Sequence, residues 1–145
     1  MEKKSKKISV PQIIAFGISF GIAFFVANYF FSRNTDTPNG MLIEVSKQMN
    51  KSMPKMMDAE TRLDSTSVQN ETLNYHYTLI NISDENKYID FDTVKEQMKA
   101  KAQDNLATNP VMEEYRKNNI SLHYIFKDKN SKPVFDYTVN YQNKK

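Results

Sequence analysis

Two hydrophobic patterns divide the chain. From Ile8 to Ser32 no position is charged, and apolar side chains crowd together without a polar face. A helix of about 20 such residues is long enough to cross a bilayer core. Pro11 suits its first turn, where the missing N–H breaks no bond, and Tyr29, Phe30 and Phe31 suit the far interface. After Met41 the apolar positions become periodic. Leu42, Val45, Met49, Met53 and Met56 recur at three- and four-residue intervals, which predicts an amphipathic helix that Pro54 ends or kinks. Leu73, Tyr75, Tyr77 and Leu79 alternate with Asn74, His76 and Thr78, as in a half-buried strand, and residues 61–68 should pair with it as a hairpin. Phe91, Val94, Met98, Ala102 and Leu106 form a second helical stripe with Asp90 or Asp92 as cap. Asn109-Pro110 interrupts it, and a short helix is expected over 111–118. Two further alternations follow, Ile120, Leu122, Tyr124, Phe126 and then Phe135, Tyr137, Val139, Tyr141. They predict a closing hairpin.

The expected fold class is therefore α+β. An N-terminal transmembrane helix would precede a small antiparallel four-stranded sheet with two to three helices on one face, in the order α-β-β-α-β-β. Residues 1–7 would be a basic tail, 8–32 the membrane segment, 33–40 a linker and 41–145 the folded domain. Glycine is absent after Gly40, so turns must use asparagine and aspartate, which tolerate left-handed backbone. Residues 69–71, 83–86 and 127–133 are the candidates.

Charge changes the picture. The chain carries +3 overall, and Lys3, Lys4, Lys6, Lys7 and Arg33, set against Glu2 and Asp36, account for all of it. From Met41 onward positive and negative side chains balance, so the domain offers no electrostatic footprint for nucleic acid. Four lysines before the apolar segment put Met1 in the cytoplasm and the domain outside it. A cleaved signal peptide would have a shorter apolar core and a small-x-small cleavage site, whereas this run ends in Tyr-Phe-Phe-Ser-Arg. An uncleaved anchor in the inner membrane is the expectation. Gly17 with Gly21, or the row Ala15, Ser19, Ala23, Ala27, would let a second copy pack closely against it as a homodimer.

Candidate chemistry is sparse. With no cysteine, a disulfide scaffold, a thiolate metal site and a cysteine nucleophile are excluded. The length after the anchor excludes a TIM barrel or a full dinucleotide-binding fold. No nucleophile elbow, phosphate loop or His-Glu-x-x-His is present. Met49, Met53, Met56 and Met57 are soft thioethers at near-helical spacing, a pattern that suits Cu(I). They also continue the stripe of Leu42 and Val45, as core residues would. His76 and His123 fall opposite the tyrosine rows and lack a third ligand for zinc. Tyr75, Tyr77, Tyr124, Tyr137 and Tyr141 should pack beneath the helices, the alternative being a ligand groove. Neither a catalytic residue nor a cofactor or metal site is expected. Asp58, Glu60 and Asp64 surround Arg62, and this group is the one candidate recognition patch.

The segment Met49-Asn-Lys-Ser-Met-Pro-Lys-Met-Met-Asp-Ala-Glu-Thr-Arg-Leu-Asp64, followed by Leu73-Asn-Tyr-His-Tyr-Thr-Leu79, resembles a family of small Gram-negative envelope proteins. Its pattern is an N-terminal anchor or signal, an N-x-x-(L/M)-P-x-x-x-D-x-x-T-R-L-D segment, a Y-x-Y-T-L strand, a helix and a final hairpin. The resemblance covers residues 49–141 and rests on Pro54, Asp58, Thr61, Arg62, Tyr75 and Tyr77. A cysteine near the end of the long helix and a glycine before the third strand, present in many relatives, are missing here. The resemblance implies location and fold, and no activity. The expected function is a single-pass inner-membrane protein displaying a non-catalytic interaction domain in the periplasm, with another envelope protein as partner. An immunity or exclusion protein is the alternative, and a small envelope enzyme or metal-handling protein is a further one.

Overall fold

The structure is a computed structural model, and it describes residues 37–82 and 89–141. The uncharged segment 8–32, the small-residue rows within it and the turn expected at 83–86 lie outside the described residues. No helix among the described residues is long and apolar enough to cross a membrane.

Helix α1 spans Pro38–Asn50. Thr37 caps it by accepting the Gly40 N–H at 3.2 Å, and Pro38 occupies the first turn, where φ is already helical. Leu42, Val45 and Met49 share one face and are buried. After a turn through Lys51 and Ser52, and a cis peptide between Met53 and Pro54, the chain enters β1, Lys55–Met56. Strand β2 (Thr61–Gln69) and strand β3 (Thr72–Leu79) form the expected hairpin. Its two-residue connection, Asn70-Glu71, holds both residues at positive φ, 47° and 58°. That geometry matches the strand twist of a type I′ turn, and asparagine supplies it where glycine is lacking.

Helix α2 (Phe91–Thr108) buries Val94, Met98, Ala102 and Leu106, and Asp90 caps it through Thr93. A 3₁₀ turn, Pro110–Met112, and helix α3, Glu113–Lys117, follow. Arg116 Nη1 reaches back to the carbonyls of Leu106 and Asn109 at 2.7 and 2.8 Å. These lie at the end of α2, where intrahelical donors run out. Strands β4 (Ser121–Asp128) and β5 (Pro133–Val139) close the chain. Asp128 holds their turn by accepting the N–H groups of Asn130 and Lys132.

Two features correct the expected sheet. Among the described residues it has five strands, in the order β1-β2-β3-β4-β5, and it is mixed, because β3 and β4 run parallel. The element order is accordingly α-β-β-β-α-β-β rather than α-β-β-α-β-β. The connection from β3 to β4 is long and contains α2, a crossover that sets its two strands parallel, which a tight hairpin cannot do. The extra strand, β1, is two residues paired with Leu63 and Arg62, too short for any alternation to show.

The core lies between one sheet face and the helices. Parallel register aligns Tyr75 with Tyr124, and antiparallel register aligns Tyr124 with Tyr137. Their rings stack at 5.1 and 4.9 Å. The next row, Tyr77, Phe126 and Phe135, stacks at 4.9 and 4.6 Å. Two aromatic rows thus tie three strands together, each stacked pair adding about 0.5–1.5 kcal/mol to plain burial. The register slips between Leu63 and Ser65. This bulge lets Leu63 and Thr66, three residues apart, both turn inward.

Candidate functional site

The sheet face opposite the helices is polar and carries two of the four expected recognition residues, Arg62 and Asp64. Thr61 and Leu63 point into the core, so Arg62 between them points out. Its Nε lies 2.5 Å from Asp64 Oδ1, and the two side chains are 41% and 26% exposed. Asp64 Oδ2 accepts the Thr78 hydroxyl from the neighbouring strand at 2.6 Å. The carboxylate is therefore clamped from both sides, and it aligns the guanidinium in turn. The Nη groups of Arg62 have no partner among the described residues. They form an edge of the planar fork that can bind a carboxylate in bidentate fashion.

Asp58 and Glu60 sit in the loop before β2. Asp58 Oδ1 accepts the N–H groups of Glu60 and Thr61 at 2.7 and 2.8 Å, which fixes the entry into the strand. The main-chain carbonyl of Glu60 receives Ile80 N–H. The structure thus joins Arg62 with Asp64 and gives Asp58 an architectural task beside them. Asn50 does comparable work at the sheet edge. Its amide donates to Thr66 C=O at 2.9 Å and accepts Thr66 N–H at 2.7 Å, in the way a neighbouring strand would.

A second polar array runs across β2 to β5 on the same open face. His76 Nε2 lies 2.9 Å from Ser67 Oγ, which also receives Asn74 Nδ2 at 3.3 Å. Asn74 Oδ1 lies 3.1 Å from His123 Nδ1, and His123 Nε2 lies 2.8 Å from Asp136 Oδ2. Burial lowers the His76 pKa from 6.5, and the nearby Lys127 and His123 lower it further, partly offset by Asp64. The two histidines, separate in sequence, are thus brought onto one array. Ser67, Asn74 and Asp136 are the members that sequence reading missed. Their alternation placed them on this face, but only the register aligned them. No group of three or more histidine or acidic side chains placed to hold a metal ion occurs among the described residues.

The methionine cluster diverges. Met49 is in the core and Met53 and Met57 pack against it, whereas Met56 is exposed. Tyr75, Tyr77, Tyr124 and Tyr137 are buried, and burial pushes their phenol pKa values well above the ordinary value of 10.0. They remain neutral core residues. Tyr141 lies beyond β5, half-buried, with the Arg116 guanidinium 5.8 Å from its ring centre.

Together these features define a two-layer α+β domain with one helix-covered face and one open polar face. The family model described as "Domain of unknown function (DUF8479)" matches residues 39–135, and the chain belongs to that family. Two solved structures are similar in fold. One is a Pseudomonas aeruginosa protein described as secreted, 16% identical with a TM-score of 0.57, covering 70% of this chain and 87% of that one. The other is the pilotin EpsS of the Vibrio vulnificus type 2 secretion system, 6% identical with a TM-score of 0.54, covering 70% of this chain and 86% of that one. No curated protein matches the chain.

Proposed function

We propose that this chain is an envelope protein whose folded domain is a non-catalytic recognition module in the periplasm. The uncharged segment 8–32 holds it at the inner membrane, with Met1 inside. The carrying observation is Arg62: one edge of its guanidinium is fixed by Asp64, and the other is unpartnered among the described residues, on a sheet face that none of the described helices covers. The partner is another envelope protein that presents a carboxylate to Arg62. The four lysines before the apolar segment support the orientation. The descriptions of the two solved structures, a secreted protein and a secretion-system pilotin, support an extracytoplasmic setting. The resemblance to small Gram-negative envelope proteins is part of the same reading.

The test is capture in intact cells with a membrane-impermeant crosslinker. Arg62→Ala should reduce the captured partner at least about fivefold, as loss of a charge-assisted hydrogen bond would, with little change in Tm. Arg62→Lys should restore it only in part, because a point charge cannot make the two-pronged contact. Unfolding of the domain by Arg62→Ala would make Arg62 an architectural ion-pair residue and remove the reading. Equal capture by wild type and variant would do the same.

A further inference from the structure

Among the described methionines only Met56 is exposed, at 45%, while Met41, Met49, Met98 and Met112 are buried and Met53 and Met57 pack against the core. Strand β1 sets Met56 directly opposite Arg62 in antiparallel register. Opposed residues project from the same sheet face with Cβ atoms about 4.5–5.5 Å apart. From that Cβ a flexible thioether side chain is long enough to reach the Nη edge of Arg62, which Asp64 leaves unoccupied among the described residues.

We propose that Met56 is an oxidation site whose sulfoxide masks Arg62. This deepens the reading of Arg62 as a recognition residue and rests on it only for its biological consequence. The oxidant is a peroxide. With hydrogen peroxide the sulfur lone pair attacks one oxygen, a sulfur–oxygen bond forms, the O–O bond breaks to release hydroxide, and that hydroxide takes the proton from the new S–OH group and leaves as water. Sulfur loses two electrons and the peroxide gains them. A thioether offers a guanidinium only a weak acceptor, whereas the sulfoxide oxygen is polar. It accepts from the free Nη groups and closes the edge of Arg62 that would meet a partner's carboxylate. Methionine sulfoxide is reducible by dedicated reductases, so the mask is removable. The buried methionines are protected, because the fold must open before an oxidant reaches them.

The experiment uses the full-length protein exposed to hydrogen peroxide. Peptide mass spectrometry then reads oxygen incorporation at each methionine, and phenylglyoxal labelling reads access to Arg62. Met56 should oxidise at least about tenfold faster than Met49, Met98 and Met112, and faster than Met53 and Met57. Arg62 labelling should fall about fivefold once Met56 is oxidised, the change in exposure that one net hydrogen bond brings. Met56→Leu should abolish the response to peroxide. Met56→Gln, which places an amide oxygen at a similar position, should lower Arg62 labelling without oxidant. Oxidation of Met53 or Met57 ahead of Met56 would overturn the site, and unchanged Arg62 labelling after Met56 oxidation would overturn the mask. Both readings are independent of partner capture. An Arg62→Ala variant that still captures a partner defeats the recognition reading alone.

Discussion

Removing the Asn50 side chain tests how the exposed edge of β2 is secured. Strand β1 covers only Arg62 and Leu63, and beyond them the outer edge of β2 has no neighbouring strand among the described residues. Asn50, at the end of α1, makes both main-chain bonds to Thr66 there, at 2.7 and 2.9 Å, and Thr66 Oγ1 adds a third contact at 3.1 Å. Thr66 is 4% exposed, so water cannot fully replace these partners. Each lost bond costs about 0.5–1.5 kcal/mol, and a buried group left unmade costs about 1–3 kcal/mol. Asn50→Ala should therefore destabilise the domain by about 2–4 kcal/mol, or lower Tm by roughly 10–25 °C for a domain of this size. Asn50→Asp keeps the acceptor and loses the donor, so its effect should be intermediate. The assay is urea and thermal unfolding of residues 37–145 followed by circular dichroism. A loss below about 1 kcal/mol for Asn50→Ala would refute the reasoning, because surface substitutions of no consequence fall in that range.

Two other outcomes follow from local geometry. Glu71 holds a φ of 58° in the hairpin turn, a conformation that costs a side-chain-bearing residue about 1–2 kcal/mol. Glu71→Gly should thus stabilise the domain, by up to about 1 kcal/mol after the greater chain entropy of glycine is subtracted, and a lower Tm would contradict the turn assignment. The His76 pKa is lowered from 6.5, chiefly by burial and then by Lys127 and His123, so folding favours its neutral form. Its contribution is complete above about pH 6.5 and is lost as pH falls through the lowered native value, where the unfolded chain binds the proton more readily. Wild type should lose more Tm than His76→Gln between about pH 7.5 and pH 5, and equal losses would remove His76 from the acid response.

Much of the domain is legible in the sequence, and the parts that are not have a common origin. The stripes Val94, Met98, Ala102, Leu106 and Leu42, Val45, Met49 mark their helices because burial of one face dominates each. The alternations around Tyr75, Tyr77, Tyr124 and Tyr137 mark their strands for the same reason. Periodicity is silent on which strand neighbours which. The parallel pairing of β3 with β4 depends on the path of the crossover, and β1 is recognisable as a strand only through its pairing with β2. The bulge near Asp64 breaks the alternation of β2, so the outward position of Ser65 and the inward position of Thr66 follow only from register. Site geometry suffers likewise. Arg62 and Asp64 are close enough in sequence to group by spacing, but Thr78, which fixes Asp64, comes from another strand. The array of Ser67, His76, Asn74, His123 and Asp136 exists only once four strands are aligned. Asn50 and Asp58, which belong to the sequence pattern around Pro54, satisfy main-chain groups. Their presence there reflects how the loop and sheet edge are built rather than what the domain binds.

The central claim is that the open sheet face around Arg62 meets a partner outside the cytoplasm, and a photoreactive amino acid tests it by position. Placed at Ser65, on that face, it should capture a discrete envelope protein on irradiation of intact cells, and the adduct should weaken in the Arg62→Ala background. Placed at Lys99, an exposed position of α2 on the other layer, it should give no such adduct. The same adduct from Lys99 with none from Ser65, or an adduct from Ser65 that is indifferent to Arg62, would contradict the account.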